Sequence, residues 1–474
     1  MKTSLVLLAG VFVVYAVTMT AEPGVTGVTD WIFTAFPAWT LAQHGTLDID
    51  AIREVTTRGW QVPVGDHWRS DRLPGPILLA VPFYWVLGSG EFDMAPAGCA
   101  AALSGAVAIF FLHQVLLKVA RRELALGAAI IAALATPMWT VTGDQLWTHG
   151  PALMGLTGGL WALSSSSYLA AGAGFAFAFF SRPTTVFAAA TMGIWESASK
   201  RSIVPALKVA ATGALGVLAL LLYNRINVHE WTLLPGSYTG RGSDVLSTSP
   251  GGQNIVDRWA GAIAGSLLSP LRGVLVYSPF LLLLLPGLPR GWRVAPAWVR
   301  SAAVGGLVML VVQLAENSWI GGDGYFGYRV TLEAVVMSVP LLTLCWQEWT
   351  VHARWRRLTF AALVLVTMWT FAVASVTTGS ALASGSGRSM TDAANWLLPE
   401  VLEATDPVVW ILAAGFVALV GWLVMRSSPL LTGGPPGNRP KRSEPAPATK
   451  AKAPSAAGPT PSRNNSSRNR KKRR

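Results

Sequence analysis

The chain is poor in cysteine. Its two, Cys99 and Cys345, lie far apart inside apolar runs. That spacing offers no disulfide framework and no thiolate metal site, and it suits small buried hydrophobes. Charge is also scarce. Only 13% of the 474 residues are charged, against 52% hydrophobic and 21 Trp, a balance that excludes a water-soluble globule and indicates a multi-pass membrane protein. No P-loop, dinucleotide fingerprint, zinc-protease helix or nucleophile elbow occurs, and no repeat of 20 to 50 residues stands out. Histidines do not pair at metal-ligand spacing.

The formal charge of +13 would suggest nucleic acid if it were spread over the chain. It is not. From Arg439 onward the chain carries twelve Lys or Arg against one acid, Glu444, which leaves +2 for everything before. Residues 427–474, rich also in Pro, Ser, Ala and Asn, read as a disordered basic tail. Its plainest partner is anionic lipid, at about 1 kcal/mol per basic residue near the surface. Nucleic acid is not expected.

A bilayer core of about 30 Å needs about 20 apolar residues per helix. Candidate spans begin near residues 3, 96, 124, 151, 168, 183, 203, 274, 300, 330, 357 and 408, about twelve in all. The first resembles a signal peptide, but its length and the spans that follow favour a retained helix. Basic residues near span ends mark the cytoplasmic side. The clusters are Lys118 with Arg121 and Arg122, Lys200 with Arg201, Arg290 with Arg293 and Arg300, Arg354 with Arg356 and Arg357, and the tail. One topology satisfies them all, with both termini cytoplasmic. The expected fold is an all-α polytopic membrane domain over 1–426. Long outer loops run over 21–93 and 224–273, and 73-LPGPILLAVPFYWVLG-88 forms a juxtamembrane helix at the interface.

Four outer constellations carry polar groups, and polar groups near a membrane mark functional sites. Asp30 follows the first span and heads an amphipathic-looking segment, where a helix N-cap is the competing role. In 65-GDHWRSDRLPGP-76, Asp71 and Arg72 stand beside Asp66, His67 and Arg69. An arginine fork suits phosphate, while a solvated loop ion pair is the plainer alternative. Asp144 and His149 lie in GDQLWTHG between two spans, and a lone histidine at a helix entrance usually serves as a hydrogen-bonded structural group. In 316-ENSWIGGDGYFGYRV-330, glycines permit close backbone approach. Trp319 and Tyr325 there offer aromatic faces, and Glu316, Asp323, Arg329 and Glu333 exceed what a plain turn requires. A divalent cation at Asp30, Asp71 or Asp144 is compatible with this reading, and no other cofactor is indicated.

As a set, 29-TDW-31, 70-SDRLPGPILLAVPFYW-85, Asp144 and 319-WIGGDGYFGYR-329 resemble the GT-C superfamily of membrane glycosyltransferases, over roughly residues 1–425. That superfamily includes the protein O-mannosyltransferases and the bacterial aminoarabinose transferases of lipid A. The resemblance implies a GT-C-like helical bundle, a polyprenyl-phosphate-linked sugar as donor, and a glycan, lipid or protein of the cell envelope as acceptor. It also implies an active site on the extracytoplasmic face of the plasma membrane. It gives Asp30 the role of general base, with Asp71 as rival because TDW replaces the usual acidic pair. Asp144 orients the acceptor and Arg72, Arg329 and Arg182 hold donor phosphate, with His149, Trp319, Asp323 and Tyr325 lining the substrate site. A transporter or flippase for a lipid-linked substrate is the alternative class.

Overall fold

Inside a bilayer every backbone N–H and C=O must be satisfied by the protein, so long apolar segments close their hydrogen bonds internally as helices. The computed structural model describes residues 1–19, 31–55, 60–235, 255–316, 319–321, 324–377 and 397–427. Of the basic tail expected over 427–474, residues 428–474 lie outside the described residues. Residues Met1–Gly433 form one compact unit. The described secondary structure is helical apart from one hairpin, β1 (Gln61–Val64) with β2 (His67–Ser70), and one isolated bridge beside it.

The helices are α1 (Lys2–Thr18), α2 (Ile32–His44), α3 (Pro74–Leu87), α4 (Ala95–Leu116), α5 (Arg122–Leu134) and α6 (His149–Ser164). They continue with α7 (Tyr168–Ser181), α8 (Thr185–Lys200), α9 (Val204–Asn227) and α10 (Ile255–Leu268). After the short α11 (Val274–Tyr277) and α12 (Leu288–Val294) come α13 (Ala297–Glu316), α14 (Leu332–Glu348), α15 (Arg354–Ala374), α16 (Leu397–Ala404) and α17 (Pro407–Ser427). Among the described residues, six segments are long and apolar enough to cross a membrane, in α4, α9, α13, α14, α15 and α17. Shorter apolar helices, α1 and α7 among them, pack beside these. The chain is a polytopic all-α membrane protein.

Two expectations change in detail. The span expected near 274 is a chain of short pieces, with 3₁₀ turns at Pro279–Leu283 and Leu285–Gly287 between α11 and α12. Pro279, Pro286 and Pro289 each lack an N–H, and Ser278 before the first has left helical geometry at φ −138°, ψ 62°, as a residue preceding proline does. Protein groups meet the freed carbonyls and hydroxyls. Thr350 Oγ1 donates to Leu283 O at 3.1 Å, and Ser278 Oγ to Ala135 O at 3.2 Å. The segment after residue 30 is also less amphipathic than expected: α2 is buried continuously from Ile32 to Ala38, because α3 packs along it.

The connections between helices sort into two groups that contact only their own kind in the hydrogen bonds that follow. At the basic end, Lys118 Nζ donates to Ser164 Oγ at 2.6 Å and Ser165 Oγ at 2.5 Å, so the serine-rich turn after α6 borrows its positive charge from α4's end. Arg290 and Arg356 both stack on Trp349, at 4.7 and 3.7 Å from the ring centre. At the opposite end Asn227 Nδ2 donates to Ser70 O at 2.9 Å, Thr140 Oγ1 to Phe326 O at 2.8 Å, and Arg272 Nη1 to Tyr325 O at 2.9 Å. These pairings follow the alternation of basic clusters along the chain.

Small residues let the central helices approach closely, as in many membrane bundles. A Cβ on Gly155 of α6 would lie 2.6 Å from Ala178 N of α7, and one on Gly174 of α7 would lie 2.7 Å from Gly159 N. Gly155→Val therefore forces two backbones apart and should lower stability by about 1–3 kcal/mol, the usual cost of overpacking. Unfolding of the detergent-solubilised protein measures this, and an unchanged midpoint would refute the packing.

Candidate functional site

Helix α7 ends where it must. Pro183 follows Arg182, which takes extended geometry at φ −157°, ψ 100° while its N–H still reaches Ala178 O at 2.8 Å. Released from the helix, the Arg182 guanidinium turns into the bundle. Its Nη1 donates to His149 Nε2 at 3.0 Å and Thr148 Oγ1 at 3.2 Å, and its Nη2 to Gln313 Oε1 at 2.7 Å. Gln313 Nε2 in turn donates to Thr184 Oγ1 at 2.7 Å. His149 is the first residue of α6, and its Nδ1 lies 2.7 Å from Glu333 Oε1. With Nε2 accepting from Arg182, the ring is neutral and Nδ1–H is the donor to the carboxylate. Arg182 Nε is 3.5 Å from the same oxygen.

Glu333 is thus the centre of a network from five segments, and it is only 1% exposed. Its Oε2 is buried and meets no hydrogen-bond partner among the described residues. An unmet carboxylate oxygen in such a place marks a functional position or a bound water. Sequence reading noted Glu333 beside the glycine-rich patch and gave it no role. The signal that would have found it is an acid in the first turn of an apolar helix, where an unpaired charge is costly.

A second group adjoins. Arg329 lies over the Trp147 ring at 4.3 Å and the Tyr325 ring at 5.0 Å, and Arg272 lies over the other partner ring, Tyr325, at 3.8 Å. Arg329 also donates to Gly321 O, and Tyr325 OH to Ile320 O. Gly321 has φ +72°, which a side chain would strain. Arg329 is within electrostatic reach of His149, so the two groups share one end of the bundle. Asp144, 8% exposed, caps the buried π-helical turn Met138–Gly143 five residues before His149; such turns recur at functional sites.

The third group is Asp71 with Arg72. Asp71 Oδ1 accepts from Arg72 Nε and Nη2, both at 2.9 Å, and Asp71 is fully buried. Arg72 lies 5.2 Å from the centre of the Trp60 ring. Ser70 holds the pair in place: its Oγ donates to Phe33 O at 2.6 Å and accepts from the Arg72 N–H at 3.1 Å. Gly75, three residues on, approaches α7 so closely that a Cβ would sit 2.1 Å from Ser181 Oγ. Arg72 and Arg182 therefore flank one helix contact.

The rest of GDHWRSDR goes elsewhere. Strand β2 points His67 and Arg69 to Asp50 and Asp48, at 2.8 and 3.0 Å, toward solvent. Asp48, Asp50 and His67 are close enough to share a cation, with ligand atoms within 4.8 Å, but Arg69 already neutralises Asp48. Trp319 packs against α10, where a Cβ on Gly265 would lie 2.5 Å from its ring, and beside Ala262, Leu314 and Val330. Asp30 and Asp323 lie outside the described residues. Asp71, Asp144, Arg72, Arg182, Arg329, His149 and Tyr325 lie in the three adjoining groups.

No family model matches the chain, and no curated protein does. Among solved structures the chain is similar to ArnT from Cupriavidus metallidurans in the apo state, at 14% identity and TM-score 0.46, covering 90% of this chain and 77% of that one. It is also similar to the Archaeoglobus fulgidus oligosaccharyltransferase tethered with an acceptor peptide, at 11% identity and TM-score 0.41, covering 90% of this chain and 55% of that one. Against AglB from Archaeoglobus fulgidus, in complex with an inhibitory peptide and a dolichol-phosphate, the values are 10% and 0.38, covering 90% and 56%.

Two predictions follow from these contacts. Glu333→Gln leaves the Arg182 guanidinium without its buried counter-charge and should cost about 3–5 kcal/mol. In a double-mutant cycle with Arg182→Gln the losses should be less than additive, and strict additivity would contradict the coupling. In the hairpin, the hydrogen bond from His67 holds Asp50 below its ordinary value, and the same bond, then Asp48, raises His67. The His67 contribution is complete below about pH 6.5 and fades as pH rises through the raised value; that of Asp50 is complete above about pH 4 and fades as pH falls through the lowered one. The hairpin is tightest between them. An NMR titration should show the His67 midpoint falling in Asp50→Asn, and an unmoved midpoint would refute the pairing.

Proposed function

We propose that the protein is a GT-C-type glycosyltransferase that moves a sugar from a polyprenyl-phosphate donor to a cell-envelope acceptor on the extracytoplasmic face, with inversion. The observation that carries the reading is the gathering of Arg72, Arg182, Arg272 and Arg329, from segments far apart in sequence, at one end of an apolar bundle beside Trp60, Trp147 and Tyr325. Phosphate is the ligand that planar guanidinium donors suit, and aromatic faces suit a sugar ring. The sequence resemblance at 70–85 and 319–329 supports the same donor.

In the transfer the acceptor oxygen forms a bond to the anomeric carbon as that carbon's bond to the phosphate oxygen breaks. The electron pair leaves on the phosphate, where preorganised arginine donors stabilise the departing charge. The acceptor proton passes to a carboxylate within hydrogen-bond reach. We assign that base to Asp30. Asp71, the rival, already accepts two N–H groups from Arg72 and so serves to orient that guanidinium. Arg182 is held in one plane by Thr148, His149 and Gln313, which suits a fixed anion site. Asp144 orients the acceptor. A carrier would place its charges near mid-membrane with access from both faces; here His149, Arg182 and Glu333 all stand at helix ends on one side of the bundle.

Purified protein incubated with a panel of polyprenyl-phosphate sugars should release or transfer the sugar from one of them, and inertness toward all would overturn the proposal. Asp30→Asn should abolish turnover with the fold intact, whereas full turnover would remove Asp30 as base. Arg329→Gln should lower kcat/KM by about a hundredfold, the scale of losing one transition-state donor.

A further inference from the structure

An apolar cavity in the bundle lies away from the arginine site. About 160 Å³ in volume, it is bounded by α5, α14, α15, α17 and the broken segment at Phe280–Leu284. Its wall runs along α15 from Arg357 to Met368, roughly 16 Å at 1.5 Å per residue. That is about the depth of one leaflet of a 30 Å hydrocarbon core. The lining is apolar along this length, and Arg357, at the basic end, is its one charged residue.

Arg357 differs from Arg356 and Arg300 beside it, although Arg356 too leaves a buried Nε unmet. Arg356 stacks on Trp349 and donates to Trp349 O at 2.9 Å, and Arg300 donates to Trp292 O at 3.0 Å. The Nε and Nη1 of Arg357 are buried and meet no hydrogen-bond acceptor among the described residues. Burying guanidinium N–H groups unpaired is costly, since each forgoes a charged hydrogen bond. Something anionic that enters the cavity from the lipid would supply the acceptor. The two features together, a leaflet-deep apolar slot and an unmet guanidinium at its polar mouth, match one molecule with an acyl chain and a phosphate.

We infer that this cavity is a binding site for an anionic phospholipid of the leaflet at the basic end, with one acyl chain between α15 and α17 and its phosphate on Arg357. Basic pockets between helices on that side of a membrane hold anionic headgroups on the same principle. The site is separate from the proposed donor site. Lipid bound there would fill the space beneath α17, a helix buried over only 11% of Pro407–Val424, and would hold it against the bundle.

The test is native mass spectrometry of the full-length protein released from bilayers of phosphatidylglycerol and phosphatidylcholine in equal parts. Wild type should retain phosphatidylglycerol in preference to phosphatidylcholine. Arg357→Gln should lower its retention about tenfold, the worth of one charged hydrogen bond. Ala361→Phe, which keeps the guanidinium and fills the cavity from its wall, should lower it as well and decides the matter if Arg357→Gln fails to fold. Equal retention of both lipids, undiminished phosphatidylglycerol in Ala361→Phe, or its displacement by added polyprenyl phosphate would each overturn the assignment.

Discussion

An ionised carboxylate cannot be left alone inside an apolar bundle: removing it from water costs several kcal/mol unless a cation and hydrogen bonds compensate. Glu333 imposes that constraint here. Its partners come from the start of α6 and the end of α7, and through Arg182 and Gln313 the network extends to α13 and the turn before α8. Few arrangements of five helix ends meet all these contacts at once. The network therefore fixes the relative height of the helices at this end, while glycines on α6 and α7 permit the close approach that brings Arg182 to His149.

From that fixed point the other groups take their positions. Trp147, two residues before His149, carries Arg329 on its ring, and Tyr325 lies between Arg329 and Arg272. The contact of Gly75 with Ser181 brings the Asp71–Arg72 pair to the same end. Each arginine is stacked or hydrogen-bonded before any ligand arrives, so little side-chain freedom is left to lose on binding. The opposite end is built differently. There Arg290 and Arg356 lie on the Trp349 ring and Lys118 donates to serine hydroxyls, while Arg357 leaves two buried N–H groups unmet.

Most of the helical architecture is legible in the chain because long apolar runs have one low-energy form in lipid. The broken stretch after Val274 was less visible, since its apolar composition resembles a span and only the positions of three prolines distinguish it. Within GDHWRSDR, composition places five charged or titratable groups together. The hairpin separates them, sending His67 and Arg69 to surface acids while Asp71 and Arg72 turn inward beyond the strand. Glu333 was legible as an unusual residue but its partner was not, because 184 positions separate it from His149, and only the folded chain brings them together.

The central claim is that the arginine-lined end receives a lipid-linked phosphate, and cross-linking with a photoreactive polyprenyl phosphate tests it most directly. Labelled peptides should contain Trp147, Arg182 or Arg329, and excess unlabelled polyprenyl phosphate should suppress them. Labelling confined to the basic end, or spread evenly over lipid-facing helices without competition, would contradict the account.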